Sequence, residues 1–251
     1  MSAGDAARGS TRAATGESRA EGLPSVFLPG LLCTPRLYAA QLAAVWAFGP
    51  VTVANHTRDD TVGAIARRVL AAAPPRFALV GLSMGGYISL EIMRQAPERV
   101  AKLALLDTSA RPDTPEQGAL RRDLVARARS TSMSNIADLT LPNLLAPQHL
   151  ADETLRQVIR AMAEEVGAEA FARQQNAIMS RPDSRPSLAA IRCPTLVLVG
   201  EQDALTPPDR AQEIAAGISG SRLVTVPRCG HVSTLERPDE VTRALVELLG
   251  N

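Results

Sequence analysis

Charge of one sign is the first thing this sequence lacks. Its 27 basic and 26 acidic residues leave a formal net charge of +1 and are spread along the chain. No field therefore exists to gather nucleic acid or an anionic membrane surface, and the partner expected is a small molecule. Cysteine is scarce as well. Cys33, Cys193 and Cys229 are an odd number at scattered spacings, which suits neither a disulfide framework nor a paired-cysteine metal site, and the setting expected is a reducing cytoplasm. No apolar run reaches the ~20 residues of a membrane-spanning helix. Residues 1–22 are polar and small, without the apolar stretch of a signal peptide, and read as a disordered tail. Internal repeats and heptad seams are missing too. The single lysine, Lys102, precedes a strand pattern on the edge opposite the expected chemistry, so a Schiff base has no obvious carrier. No cluster of His, Cys and Asp suggests a metal site.

What is present is an ordinary globular composition. With 45% apolar and 21% charged residues among 251, the chain can bury a sizeable core without disulfides. Short β-branched apolar runs at 26–28, 51–54, 77–80, 103–106, 195–199 and 223–226 alternate with amphipathic stretches at 35–46, 61–72, 84–95, 209–218 and 238–249. This is the rhythm of βαβ units, and it predicts a three-layer α/β sandwich around a mostly parallel sheet. Pro238 suits a first helical position, and Asp59 or Asp60 suits a helix cap. One interval breaks the rhythm. Residues 111–186 carry no good strand, only helical stretches such as 115–129, 153–165 and 168–179, which is too long for a plain connection. The division expected is therefore a core from 23–110 and 187–251, with a helical subdomain at 111–186 covering the strand ends.

Ligands of open parallel sheets bind at the carboxyl ends of the strands, so residues just after each run are candidates for chemistry. After the third run comes Gly81-Leu82-Ser83-Met84-Gly85-Gly86. A G-x-S-x-G pattern alone arises readily by chance. Between a strand and a helix it describes a strained turn that pushes a serine hydroxyl outward, with the amide of Met84 aimed where negative charge would develop on a substrate oxygen. Such a hydroxyl needs a base. The histidines are His56, His149 and His231. His56 follows the second strand and suits a loop or the approach to a helix; His149 suits a solvated surface; His231 ends the short loop after the last strand, from which it can reach Ser83.

A base histidine in turn needs a carboxylate to fix its tautomer. Asp203, directly after run 195–199, and Asp107, after run 103–106, both satisfy the chain order Ser, Asp, His. Asp203 is favoured because its strand should lie beside the one leading to His231, whereas Asp107 suits a turn or a helix cap. At the first strand, Pro29-Gly30 can turn the backbone so that the amide of Leu31 becomes a second donor beside that of Met84.

Through Leu28-Pro29-Gly30, Gly81-Leu82-Ser83-Met84-Gly85-Gly86, Gly200-Glu201-Gln202-Asp203 and Gly230-His231, the sequence resembles the α/β-hydrolase superfamily, in its small carboxylesterase and lactonase branch. The likeness runs over almost everything from residue 26 to 249. It implies an oxyanion loop, a nucleophile elbow, an acid and a base at these positions, a helical cap at 111–186, and no cofactor. Two departures stand out. Many members carry His-Gly where this chain has Pro29-Gly30, and the antiparallel hairpin with which the family commonly begins has no counterpart before residue 26. The activity implied is hydrolysis of a small ester, thioester or lactone through an acyl-enzyme. The same three side chains also serve carbon-carbon cleavage, elimination or acyl transfer, and a related pocket can bind without catalysis. In the insertion, Leu144, Met162, Phe171 and Met179 suit either an apolar acyl pocket or plain core, while Arg173, Gln174 and Gln175 suit a solvated face or a polar or carboxylate-bearing substrate. Oligomeric state is not legible.

Overall fold

The computed structural model of the protein describes residues 22–250. The expected tail at 1–22 therefore lies, apart from Gly22, outside the described residues. Six strands form one sheet: β1 (Ser25–Leu28), β2 (Val51–Val53), β3 (Phe77–Leu82), β4 (Val100–Leu106), β5 (Thr195–Gly200) and β6 (Arg222–Val226), in the order β2-β1-β3-β4-β5-β6. Every pairing among the described residues is parallel, and no antiparallel hairpin flanks β1 among them.

Successive side chains of a strand point to opposite faces, and here both faces are covered. Phe27, Val80, Leu106 and Leu198 pack on one side with α1 (Ala39–Val45) and α9 (Pro238–Gly250). Val26, Leu79, Leu105 and Val197 pack on the other with α2 (Val62–Ala72), α3 (Met84–Gln95) and α7 (Pro208–Gly217). Fully burying each such side chain contributes roughly 1.5–3 kcal/mol. The strands thus read as nearly unbroken apolar runs because each alternate residue has its own layer to enter. The fold is the α/β sandwich that the sequence rhythm implies.

Between β4 and β5 lie α4 (Pro115–Ala128), α5 (Met133–Leu144) and α6 (Glu153–Met179), the last interrupted at Gly167, whose φ of 76° and ψ of 164° are not helical. Helix α5, which sequence periodicity did not outline, carries Pro142 near its end and begins at Ser132, whose side chain accepts from Asn135 N. Met133, Ile136, Ala137 and Leu141 of α5 join the same apolar cluster as Phe27 and Val80 of the sheet. Tertiary burial outweighs the weak propensity of a Ser-, Asn-, Thr- and Pro-containing segment. At α2 the cap is Thr61, whose hydroxyl accepts from Ala64 N at 3.2 Å, rather than Asp59 or Asp60; Asp59 instead binds Arg68. Among the described residues, no helix is long and apolar enough to cross a membrane. The residues that follow short helix α8 (Ser233–Glu236) lead directly into α9, with Pro238 at its first position.

Candidate active site

Ser83 sits between the end of β3 and the start of α3 with φ of 55° and ψ of −115°, a conformation unfavourable for a residue with a side chain. The flanking glycines make the bend possible. A Cβ on Gly81 would lie 2.4 Å from the carbonyl oxygen of Gly85, and one on Gly85 would lie 1.9 Å from that of Leu28. The turn is held from beneath, with Ser83 N donating to Leu106 O at 2.9 Å and the Thr108 hydroxyl donating to Ser83 O at 2.8 Å. Its Oγ is thereby fixed at the carboxyl edge of the sheet.

His231 reaches this edge from the loop after β6. Its Nε2 is 2.8 Å from Ser83 Oγ, and its Nδ1 is 2.8 Å from Asp203 Oδ2. Asp203 comes from the loop after β5, the neighbour of β6, and the two loops are laced together by Gln202 N donating to Cys229 O at 2.8 Å. Asp203 also accepts from the amides of Leu205 and Thr206 and from the Thr206 hydroxyl. Burial alone would push this carboxyl upward, but the His231 charge and these hydrogen bonds outweigh it and hold Asp203 below the usual carboxylate range. Burial likewise opposes a charged His231, yet the Asp203 carboxylate prevails and raises the imidazole above its ordinary value. The arrangement favours an imidazolium-carboxylate pair once His231 has taken a proton.

Asp107, the rival carboxylate, is fully buried two strands away from β6. It accepts from Gly200 N at 2.9 Å and from the Ser233 hydroxyl, and has no hydrogen bond to His231. Burial, and then the Asp203 charge, push its pKa up to about 8. Asp107 thus sits in the bend directly after β4 and braces it against the β5 end and α8.

The other two histidines are enclosed, and His149 is more so than its position implied. His149 is no solvated surface residue: its Nδ1 lies 2.7 Å from Glu236 Oε2, and the Glu236 side chain is wholly buried. Glu236 also accepts from Gly230 N and Ala146 N, while His231 N donates to Leu144 O. The loop carrying His231 is therefore anchored to the end of α5. Nothing in the spacing of Glu236 announces this, because an acid at a helix end is ordinarily exposed.

His56 is buried, with Nε2 3.1 Å from Gly30 O and 3.2 Å from Gln174 Nε2. Burial lowers its pKa to about 4, so it is neutral near pH 7. Gln174 Oε1 accepts from Leu32 N, and Gly30 O also accepts from Cys33 N. The segment Gly30 to Leu32 is thus pinned on both sides of Leu31, whose own amide has no hydrogen-bond acceptor among the described residues. Met84 is the first residue of α3, so its amide is one of those with no intrahelical partner.

A cavity of about 440 Å³ opens onto Ser83 and His231. Its walls combine Leu31 and Leu82 of the sheet edge with residues of the insertion, among them Leu144, Met162 and Phe171. Met179 is not part of the lining; it lies against Arg122. The three polar neighbours on α6 also separate. Arg173 donates to Thr57 O, Gln174 braces Leu32, and Gln175, buried rather than solvated, lines the cavity.

Residues 23–244 match the family described as the alpha/beta hydrolase family. Among proteins of known identity, the chain is 27% identical over 224 residues to a pimeloyl-acyl-carrier-protein methyl ester esterase of Chromobacterium violaceum, covering 84% of this chain and 87% of that protein. Among solved structures it resembles a malate-bound thermophilic esterase of Thermogutta terrifontis, with TM-score 0.82, 31% identity, and coverage of 92% of this chain and 90% of the other. An enol-lactonase of Burkholderia xenovorans superposes with TM-score 0.83 at 26% identity, over 94% of each chain.

Proposed function

Because the chain belongs to the alpha/beta hydrolase family, we propose that it is a serine-dependent hydrolase of small carboxylic esters, thioesters or lactones. The observation that carries this reading is the continuous hydrogen-bonded line from Ser83 Oγ through both nitrogens of His231 to Asp203 Oδ2, each link 2.8 Å. Likeness to an esterase and an enol-lactonase supports the same class of reaction.

In this mechanism His231 Nε2 takes the Ser83 proton as Oγ attacks the substrate carbonyl. Asp203 keeps Nδ1 protonated and stabilises the imidazolium that forms. The carbonyl oxygen, now an oxyanion, receives hydrogen bonds from the amides of Leu31 and Met84, both free of competing acceptors in the geometry above. Removing one such donor from a preorganised site typically costs ~10²–10³ in rate. The imidazolium returns its proton to the leaving alcohol, thiol or ring oxygen, leaving the acyl group on Ser83. Water, deprotonated by His231, then releases the acid and restores the hydroxyl. The α4–α6 insertion acts as a cap over this chemistry, its apolar residues forming a wall that excludes bulk water. Asp107 takes no part, being engaged by Gly200 N and the Ser233 hydroxyl and making no hydrogen bond to His231.

The test is turnover of a ladder of chromogenic esters of increasing acyl length, by the wild type and by Ser83→Ala. Turnover lost in the variant supports the assignment, and the preferred length sizes the pocket. Turnover retained in the variant sinks it.

A further inference from the structure

Gln175 of α6 has a side chain with no exposure to solvent, yet it lines the cavity that Ser83 and His231 share. Its Oε1 accepts from Arg121 Nη1 at 2.9 Å. An arginine nitrogen can only donate, so this bond fixes which end of the amide faces Arg121. The other end, Nε2, has no acceptor among the described residues. Buried amide donors are rarely left unmade, because nothing repays the water they lose. Such a donor beside a cavity calls for an acceptor on whatever enters.

The charges nearby say what kind. Arg121 and Arg181 share a single carboxylate, that of Asp113, with Arg121 Nε 2.5 Å from Oδ2 and Arg181 Nη1 2.7 Å from Oδ1. The side chains of Arg181 and Asp113 are 7% and 4% exposed, so little solvent screens them. Asp113 is the one acidic residue among those lining the cavity, which also include Arg111 and Arg210. Arg111 is occupied by Glu213. The Gln175 neighbourhood is left with one positive charge in excess and one unmade donor. Arg181 is itself held in place over the ring of Tyr87, 4.2 Å from its centroid, so the surplus charge is preorganised.

We propose that this corner of the cavity receives an ionised carboxylate, and that the protein's substrate is an ester or lactone bearing such a group apart from the carbonyl attacked by Ser83. The idea rests on the serine-hydrolase reading for the reaction, though not for the subsite itself. A carboxylate fits better than a neutral acceptor, since it answers the donor and the surplus charge together.

The experiment uses paired substrates: half-esters of dicarboxylic acids and acetyl esters of ω-hydroxy acids, each beside its uncharged methyl ester. For wild type, kcat/KM should favour the charged member of at least one pair by roughly tenfold or more, the effect of one charge-assisted hydrogen bond. Gln175→Glu keeps an acceptor for Arg121 and so preserves that contact, but replaces the donor with negative charge. It should erase the preference or invert it. A wild type that favours the neutral member of every pair, or a preference unchanged in Gln175→Glu, overturns the proposal. Calorimetry separates the two readings: hexanoate should bind wild type at least about tenfold more tightly than hexanamide, and Gln175→Glu should abolish the difference. If no ester is cleaved but this difference appears, the hydrolase reading fails and the subsite stands; equal binding of the two compounds rejects the subsite.

Discussion

The carboxyl edge of the sheet and the α4–α6 insertion face each other across one cavity, but they are built on different terms. At the edge, backbone geometry dictates the residues. Among the described residues, four non-glycine residues have positive φ, namely Leu32, Ser83, Asp107 and Arg228, and each lies in the loop that follows a strand. Strain of this kind persists only where surrounding contacts over-determine it. The insertion is held instead by side-chain packing, with Met133, Ile136, Met162 and Phe171 merging into the sheet's own apolar cluster. A change at the edge should therefore strike the reaction, and a change in the insertion should alter what is accepted.

Asp203→Asn is the sharpest form of this contrast. Loss of the orienting carboxylate should lower kcat by about 10⁴-fold, since the imidazole no longer holds the required tautomer. The sign of the pH effect follows. Asp203 raises the His231 pKa, and the base works only when neutral, so residual activity in the variant should rise at lower pH than in wild type. A pH profile of kcat/KM for both proteins checks this; an unshifted acid limb would break the account of His231.

A smaller effect is expected in the insertion. Phe171→Ala enlarges the cavity where a fully buried ring lines it, and should move the preferred acyl length upward while Ser83 still turns over. Its cost to stability should be about 3–5 kcal/mol, read from denaturant midpoints. Collapse of turnover on every acyl length in a folded variant would show that the insertion and the edge are not separable in this way.

The smallest effect belongs to Asp107, an edge residue outside the hydrogen-bonded line. Its folded pKa of about 8 stands above the usual 3.8, so across that window the folded chain holds a proton that the unfolded chain releases. Stability from this group is therefore present at low pH and lost as pH rises toward 8. Asp107→Asn has no such titration. The melting temperature of wild type should fall relative to the variant between about pH 4 and pH 8, with kcat changed far less than in Asp203→Asn. Parallel melting curves across that range would contradict the buried, protonated state of Asp107.

How much of this could be read beforehand differs between the same two regions. The six strands, helix α3 and the nearness of the Asp203 loop to the His231 loop followed from pattern, because apolar runs, glycine-permitted turns and strand adjacency are written locally in the chain. Strand ends shifted by a few residues, as at β4, which begins at Val100. The insertion was legible only as helix. Gln175 and Arg121 are 54 residues apart, and the buried roles of Glu236 and His149 depend on contacts across 87. No local period encodes such meetings, and so α5, the enclosed His149 and the placement of Gln174 and Gln175 became visible only in three dimensions.

The most direct test of the central claim is to trap the acyl-enzyme. Wild type mixed with an activated ester, quenched in acid within a turnover and analysed by intact-mass and peptide mass spectrometry, should carry one acyl group on the peptide containing Ser83, and Ser83→Ala should carry none. An acyl group on another residue, or turnover by wild type through a route that leaves the Ser83→Ala variant equally active, would contradict it.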